Sequence, residues 1–170
     1  MQDGLRCTSF DVAKYCKDKD FEACACKIYL SSRTLYIIAI YRAPSGNFDM
    51  FFTKLDNILK YLFTPPLDLI IAGDININYL VDSTRKRHLE ALLKTHNLIS
   101  IVNFLTRTQQ ESATAIDNIF LDISKIGNYS MSPITNGLSD HDAQSITLHS
   151  IGTCRTGKKC ILTGRLMHVQ

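Results

Sequence analysis

Alternation of strand-like apolar runs with helical periods along one continuous stretch predicts an α/β fold. The run Thr34-Leu35-Tyr36-Ile37-Ile38-Ala39-Ile40-Tyr41 is apolar on both faces, the pattern of a strand inside a sheet. A second buried run over residues 68–72 delivers Gly73-Asp74. Between them, Phe51, Phe52, Leu55, Ile58, Leu59 and Leu62 recur at three- and four-residue steps, which gives a helix over 48–63 one apolar face.

The first twenty residues are mixed, carry Lys14, Lys17 and Lys19, and show no clear period. Residues 21–30 and 33–41 read as two strands of a hairpin around Ser31-Ser32. Ala43-Pro44-Ser45-Gly46-Asn47 is turn chemistry, either Asn47 or Asp49 can cap the helix that follows, and Pro65-Pro66 bars its continuation. A second helix fits 83–96, with Leu89, Leu92 and Leu93 on its apolar side and Arg85, Lys86 and Arg87 pointing elsewhere. Residues 98–102 make a short strand, 106–114 a polar loop, 115–121 a strand and 122–128 a loop. Short strands at 129–134 and 144–149 follow. After His149 the composition changes: 151–170 holds three glycines and five basic residues, counting His168, and no acidic one. Residues 1–149 are therefore expected to form one domain, and 150–170 a basic, poorly ordered tail.

A chain of 170 residues is long enough for one domain with a real core. A formal charge of +3 tilts toward polyanions without forming a dedicated basic patch. Cys7, Cys16, Cys24, Cys26, Cys154 and Cys160 include no C-x₂-C pair and no histidine at zinc-finger spacing. With no secretory signal they are expected to be reduced thiols rather than disulfides, in a nuclear or cytoplasmic protein. The apolar runs are too short to span a bilayer, so no membrane partner is expected.

Three carboxylate-bearing pieces stand in order: Gly73-Asp74-Ile75-Asn76, Ala115-Ile116-Asp117-Asn118-Ile119-Phe120 and Leu138-Ser139-Asp140-His141-Asp142. Alternation along a strand would send Asp74 and Asn76 to one side, where the carboxylate can orient and deprotonate a water and the amide can bind it or a phosphate. The same pair would also serve as a turn after a strand. Asp117 stands among apolar neighbours, and a charge there must be paired, hydrogen-bonded or metal-bound unless it faces solvent. A histidine beside an aspartate can be held in one tautomer, or charged by it, and meet phosphate oxygens. Hard oxygen ligands, a water-orienting carboxylate and a His–Asp pair are the equipment of a Mg²⁺-dependent phosphodiester hydrolase.

In order and spacing these pieces resemble the endonuclease/exonuclease/phosphatase superfamily, specifically the endonuclease domain of non-LTR retrotransposon polyproteins. Ile75 stands where an aromatic is usual. The resemblance covers residues 10–148 and implies a four-layer sandwich of two β-sheets flanked by helices, here partial and lacking its first strands. It implies catalytic roles for Asp74, Asn76, Asp117, Asp140 and His141, with Asp140 supporting a metal or the histidine. Contacts to substrate are implied for Tyr41, which opens Tyr41-Arg42-Ala43-Pro44, for Thr106 in Leu105-Thr106-Arg107, and for Ser139. Tyr41 reads equally as a strand-end aromatic over the core. The implied cofactor is Mg²⁺, with Mn²⁺ as an alternative. The implied partners are DNA and, in an intact element, a reverse transcriptase domain. The family's metal-binding Glu has no counterpart by motif, since Glu22 lies in a strand, Glu90 in a helix and Glu111 in a loop. A DNA endonuclease with impaired or no activity is the expectation, and a catalytically dead remnant that at most binds nucleic acid is the alternative.

Overall fold

The computed structural model describes residues 6–62, 68–110, 112–135, 137, 139–149 and the strand Ile161–Thr163. In chain order its elements are β1 (Arg6–Phe10), a 3₁₀ turn (Ala13–Tyr15), β2 (Glu22–Tyr29), β3 (Thr34–Tyr41), α1 (Phe48–Leu62), β4 (Asp68–Asp74) and α2 (Thr84–Lys94). There follow β5 (Ile99–Ser100), β6 (Arg107–Gln109), β7 (Ser112–Thr114), β8 (Asp117–Leu121), α3 (Ile123–Ile126), β9 (Tyr129–Ile134), β10 (Ala143–Leu148) and β11 (Ile161–Thr163).

The main sheet has six strands in the order β1-β2-β3-β4-β8-β5. β1, β2 and β3 form an antiparallel meander, while β3 and β4 run parallel because α1 carries the chain back between them. All six apolar residues of the predicted stripe on α1 are buried. They pack with Leu89 and Leu93 of α2 on Ile38, Ile40 and Ile71, which share one face of the sheet. Asn47 caps α1, its Oδ1 accepting from Met50 N–H at 2.9 Å, and Ser83 caps α2 through Lys86 N–H at 3.1 Å.

The opposite face of the main sheet carries Ile28, Leu35, Ile70, Ile119 and Leu121, and a second sheet covers it. That sheet has the order β11-β10-β9, with Ile146 of β10 buried in the shared core and Met131 of β9 packed against it. The architecture is an α/β sandwich of two sheets with helices outside the larger one. Cys7, Cys16, Cys24 and Cys26 are free thiols, and alternation puts Cys24 and Cys26 on one face of β2. Among the described residues no helix is long and apolar enough to cross a membrane.

Three segments differ from the sequence reading. Residues 6–10 form an edge strand that has no amphipathic pattern, because only Phe10 is even partly buried. The stretch read as a polar loop, 106–114, contains the hairpin of β6 and β7, joined by backbone pairing of polar residues. A four-residue helix, α3, stands in the expected loop 122–128, capped by Asp122, whose Oδ1 accepts from Ser124 N–H at 2.9 Å. Pro65-Pro66, Glu111, Cys154, Cys160 and His168 lie outside the described residues, as does all of 150–170 except β11.

Candidate functional site

Register across the main sheet assembles the site. Tyr41 at the end of β3 pairs with Asp74 at the end of β4, and Asp74 pairs with Asp117 at the start of β8. Residues paired in register share a face. Here it is the face that carries Ile70 and Ile119, so both carboxylates project toward the second sheet at the mouth of the sandwich. His141 joins them from the segment leading into β10. Ligand atoms of Asp74, Asp117 and His141 all lie within 4.8 Å of one another.

Asp74 is buried, and its carboxyl is pushed up to about 6, first by loss of solvent and then by the charge of Asp117. The N–H of Asn76 opposes that rise by donating to its Oδ1 at 3.0 Å. Strand alternation does not link the two residues as expected, because β4 ends at Asp74. Asn76 takes a left-handed conformation with φ 50°, and its side-chain amide donates to the carbonyl of Arg42 at 2.8 Å.

Asp117 accepts two hydrogen bonds on Oδ2, from Thr106 Oγ1 at 2.9 Å and from His141 Nδ1 at 2.9 Å. A carboxylate only accepts, so Nδ1 carries the proton and Nε2 is the nitrogen free for another partner. Thr106, expected at a DNA contact, is fully buried. Its hydroxyl also accepts from the N–H groups of Ile116 and Asp117 at 3.1 Å each, which makes it the brace of Asp117. Thr106→Val would strand two buried N–H groups and take from Asp117 Oδ2 one of its two donors. We expect a loss of about 2–3 kcal/mol in denaturant melts, with Thr106→Ser keeping most of the stability.

The remaining members of the Ser-Asp-His piece face other partners. Asp140 Oδ2 accepts from Arg107 Nε at 2.6 Å, and that bond holds its carboxyl below the usual carboxylate range. Ser139 Oγ closes on the backbone of His141, donating to its carbonyl at 3.0 Å and accepting from its N–H at 3.1 Å. Backbone bonds from Thr108 N–H to the carbonyl of Asp140 and from Asp142 N–H to that of Thr106 stitch the β6–β7 hairpin to this segment. Asn76, Arg107, Gln109, Ser112, Thr114 and Ile116 line a pocket of about 100 Å³ beside it. Burial, then the charges of Asp74 and Glu22, raise the phenol of Tyr41. Glu22 pairs in register with Tyr41 on its other side, and its Oε1 accepts from Lys19 N–H at 3.2 Å.

Sequence reasoning did not find the two arginines that organise this region. Arg107 fixes Asp140. Arg42 is only 1% exposed and donates to the carbonyls of Ala43, Gly46, Ile75 and Asn76 at 2.9 Å each, which sets the turn after β4. The one signal was its place directly after Tyr41.

The acidic pair suits a divalent cation. Two carboxylates face each other across β4 and β8, one of them raised by burial and by the other's charge, and their hard oxygen donors are the kind such an ion takes. A family model described as endonuclease-reverse transcriptase matches residues 35–144. No curated protein sequence matches the chain. Among solved structures, the endonuclease domain of TRAS1, a telomere-specific non-LTR retrotransposon, superposes with a TM-score of 0.70 at 13% identity, covering 84% of this chain and 66% of that one. The 3′ phosphatase NExo from Neisseria, bound to a product DNA hairpin, gives 0.58 at 13% identity, over 74% of this chain and 64% of its own. Humanized TDP2 from D. rerio gives 0.54 at 16% identity, over 81% and 65%. The chain thus spans just under two thirds of each of these structures.

Proposed function

Because the chain belongs to the endonuclease-reverse transcriptase family of the endonuclease/exonuclease/phosphatase superfamily, we propose that it is the DNA-cleaving domain of a retrotransposon-derived protein, a Mg²⁺-dependent phosphodiester hydrolase. One observation carries this reading: the chain Thr106–Asp117–His141 ends beside Asp74, at the mouth between the two sheets. Residues 1–149 would form the hydrolase, and the basic segment 150–170 would add β11 to the edge of its second sheet. A reverse transcriptase domain would be its partner in an intact element, in the nucleus or the cytoplasm.

A carboxyl that titrates near 6 is ionised at neutral pH yet basic enough to take a proton, which suits Asp74 to activating water. As the water oxygen bonds to phosphorus, its proton passes to Asp74. The bond from phosphorus to the leaving sugar oxygen breaks, and that oxygen takes a proton from solvent. His141, held through Nδ1–H by Asp117, meets the phosphate oxygens in its doubly protonated form, with Nε2–H as the donor. Asn76 and Tyr41 flank this point, and Ser139 sets the backbone of His141. Asp74 and Asp117 offer the oxygens that would hold a divalent ion, with Asp140 as the further ligand that the resemblance implies. Bound there, Mg²⁺ (or Mn²⁺) would offset negative charge developing on the phosphate.

The alternative, a nucleic-acid-binding remnant, is favoured by the glutamates. Glu22 accepts from Lys19 N–H, Glu90 sits on α2 beside Lys86, and neither belongs to the cluster of Asp74, Asp117 and His141. The test is a paired plasmid-nicking assay with Mg²⁺ or Mn²⁺. It compares this chain with the same chain joined to the first strands of a related element, which carry the metal-binding Glu, each with and without His141→Ala. Weak or no nicking is expected from the chain alone. Cleavage by the joined protein is expected to fall about 10²–10³-fold in His141→Ala. Cleavage indifferent to His141 would sink the assignment.

A further inference from the structure

Three consecutive basic residues open α2, and two of them have partners. Lys86 Nζ donates to the carbonyl of Tyr79 at 2.8 Å and approaches Glu90, while Arg87 lies 3.6 Å from a carboxylate oxygen of Asp82. Arg85 has neither a carboxylate nor a hydrogen-bond partner among the described residues. Its guanidinium instead lies over the ring of Phe48, 3.7 Å from the centroid. The guanidinium of Arg42 lies over the same ring at the same distance. Two such groups cannot share one face of a phenyl ring that closely, so Phe48 is a plate between two cations.

Holding a second cation there has a cost, visible in Arg42: after burial, the charge of Arg85 is the next influence that weakens its hold on its proton. Arg42 cannot answer an incoming anion, because it is buried and bonded to four backbone carbonyls. Arg85 can. It is exposed, its fork of N–H donors is uncommitted, and stacking has already restricted its rotamers, so less order is lost when it engages a ligand. Its place relative to the site is set through rigid parts. Arg42 bonds the carbonyl of Asn76, and Asn76 bonds Asp74.

We propose that Arg85, held on Phe48, binds a backbone phosphate of the nucleic acid flanking the phosphodiester presented to Asp74 and His141. This rests on the nucleic-acid reading of the site and adds a contact outside the catalytic cluster. Fluorescence anisotropy of a short fluorescein-labelled DNA duplex, followed against NaCl without divalent metal, measures it directly. Arg85→Ala is expected to weaken binding several-fold at low salt and to lower the slope of log affinity against log salt by about one. Arg85→Lys keeps the charge and should keep the slope, with part of the affinity lost. Arg87→Ala, whose partner is Asp82, should leave both nearly unchanged. An unaltered slope in Arg85→Ala, or equal losses in Arg85→Ala and Arg87→Ala, would overturn the contact and leave the nucleic-acid reading standing. A wild-type chain with no salt-dependent affinity for the duplex would overturn both.

Discussion

Asp74→Asn is expected to remove hydrolysis and to make the protein more stable above pH 6. The carboxyl of Asp74 is raised from an ordinary 3.8 to about 6 by burial and by Asp117 directly opposite. Between about pH 4 and 6 the folded chain keeps the proton and the unfolded chain has lost it. Stability therefore falls as pH rises through that window, and above it the ionised pair weighs fully on the fold. The displacement corresponds to roughly 3 kcal/mol. An amide at position 74 keeps an acceptor for the N–H of Asn76 and carries no charge, so denaturant melts at pH 8 should show the variant more stable by about 2–3 kcal/mol. At pH 4 the two proteins should nearly coincide. Mg²⁺ should stabilise the wild type and have less effect on the variant. A variant less stable than wild type at pH 8 would contradict the cost assigned to an ionised Asp74 buried beside Asp117.

Gly73→Ala should be the most damaging single change to the fold. Gly73 has φ +156° and pairs with Ile40 on the neighbouring parallel strand, and a Cβ built there would lie 1.8 Å from the Ile40 carbonyl oxygen and 2.8 Å from its carbon. Those are backbone atoms inside a sheet, so relief requires splaying β3 from β4 at the end that carries Tyr41 and Asp74. We expect a loss of roughly 3–5 kcal/mol in urea melts, a large part of the 5–15 kcal/mol typical of a whole domain. Gly137→Ala is the comparison. Its φ of +64° is unfavourable for alanine, but nothing lies within 4 Å of the added methyl, and the expected cost is about 1–2 kcal/mol. Equal effects at the two positions would show that conformation, not the close approach of β3, makes Gly73 necessary.

Local pattern accounts for the elements that were legible in the sequence. The stripe on α1 reads directly as the residues buried against the main sheet, and the two-sided apolar run of β3 reads as a strand with layers on both faces. β1 and the β6–β7 hairpin were not legible, because backbone pairing with a neighbour holds them and their side chains bury almost nothing. The same division runs through the site. Gly73-Asp74, Asp117 and His141 were visible as residue types at strand ends, since a carboxylate in an apolar context needs a partner wherever it lies. Which partner it finds is a property of the assembled sheets. Register set Asp74 against Asp117, the return of β10 brought His141 to Asp117, and the hairpin put Arg107 on Asp140. The burial of Arg42 and Thr106 has the same origin. Arg42 is buried because the turns after β3 and β4 direct four carbonyls at its guanidinium, and Thr106 because its hydroxyl meets two N–H groups and a carboxylate. Composition and periodicity by themselves determined the two long helices, the central strands and the chemical identity of the acidic and histidine groups. The pairing of those groups was decided only by the tertiary structure, because hydrogen bonds and charge interactions act over a few ångströms between residues that the chain itself keeps far apart.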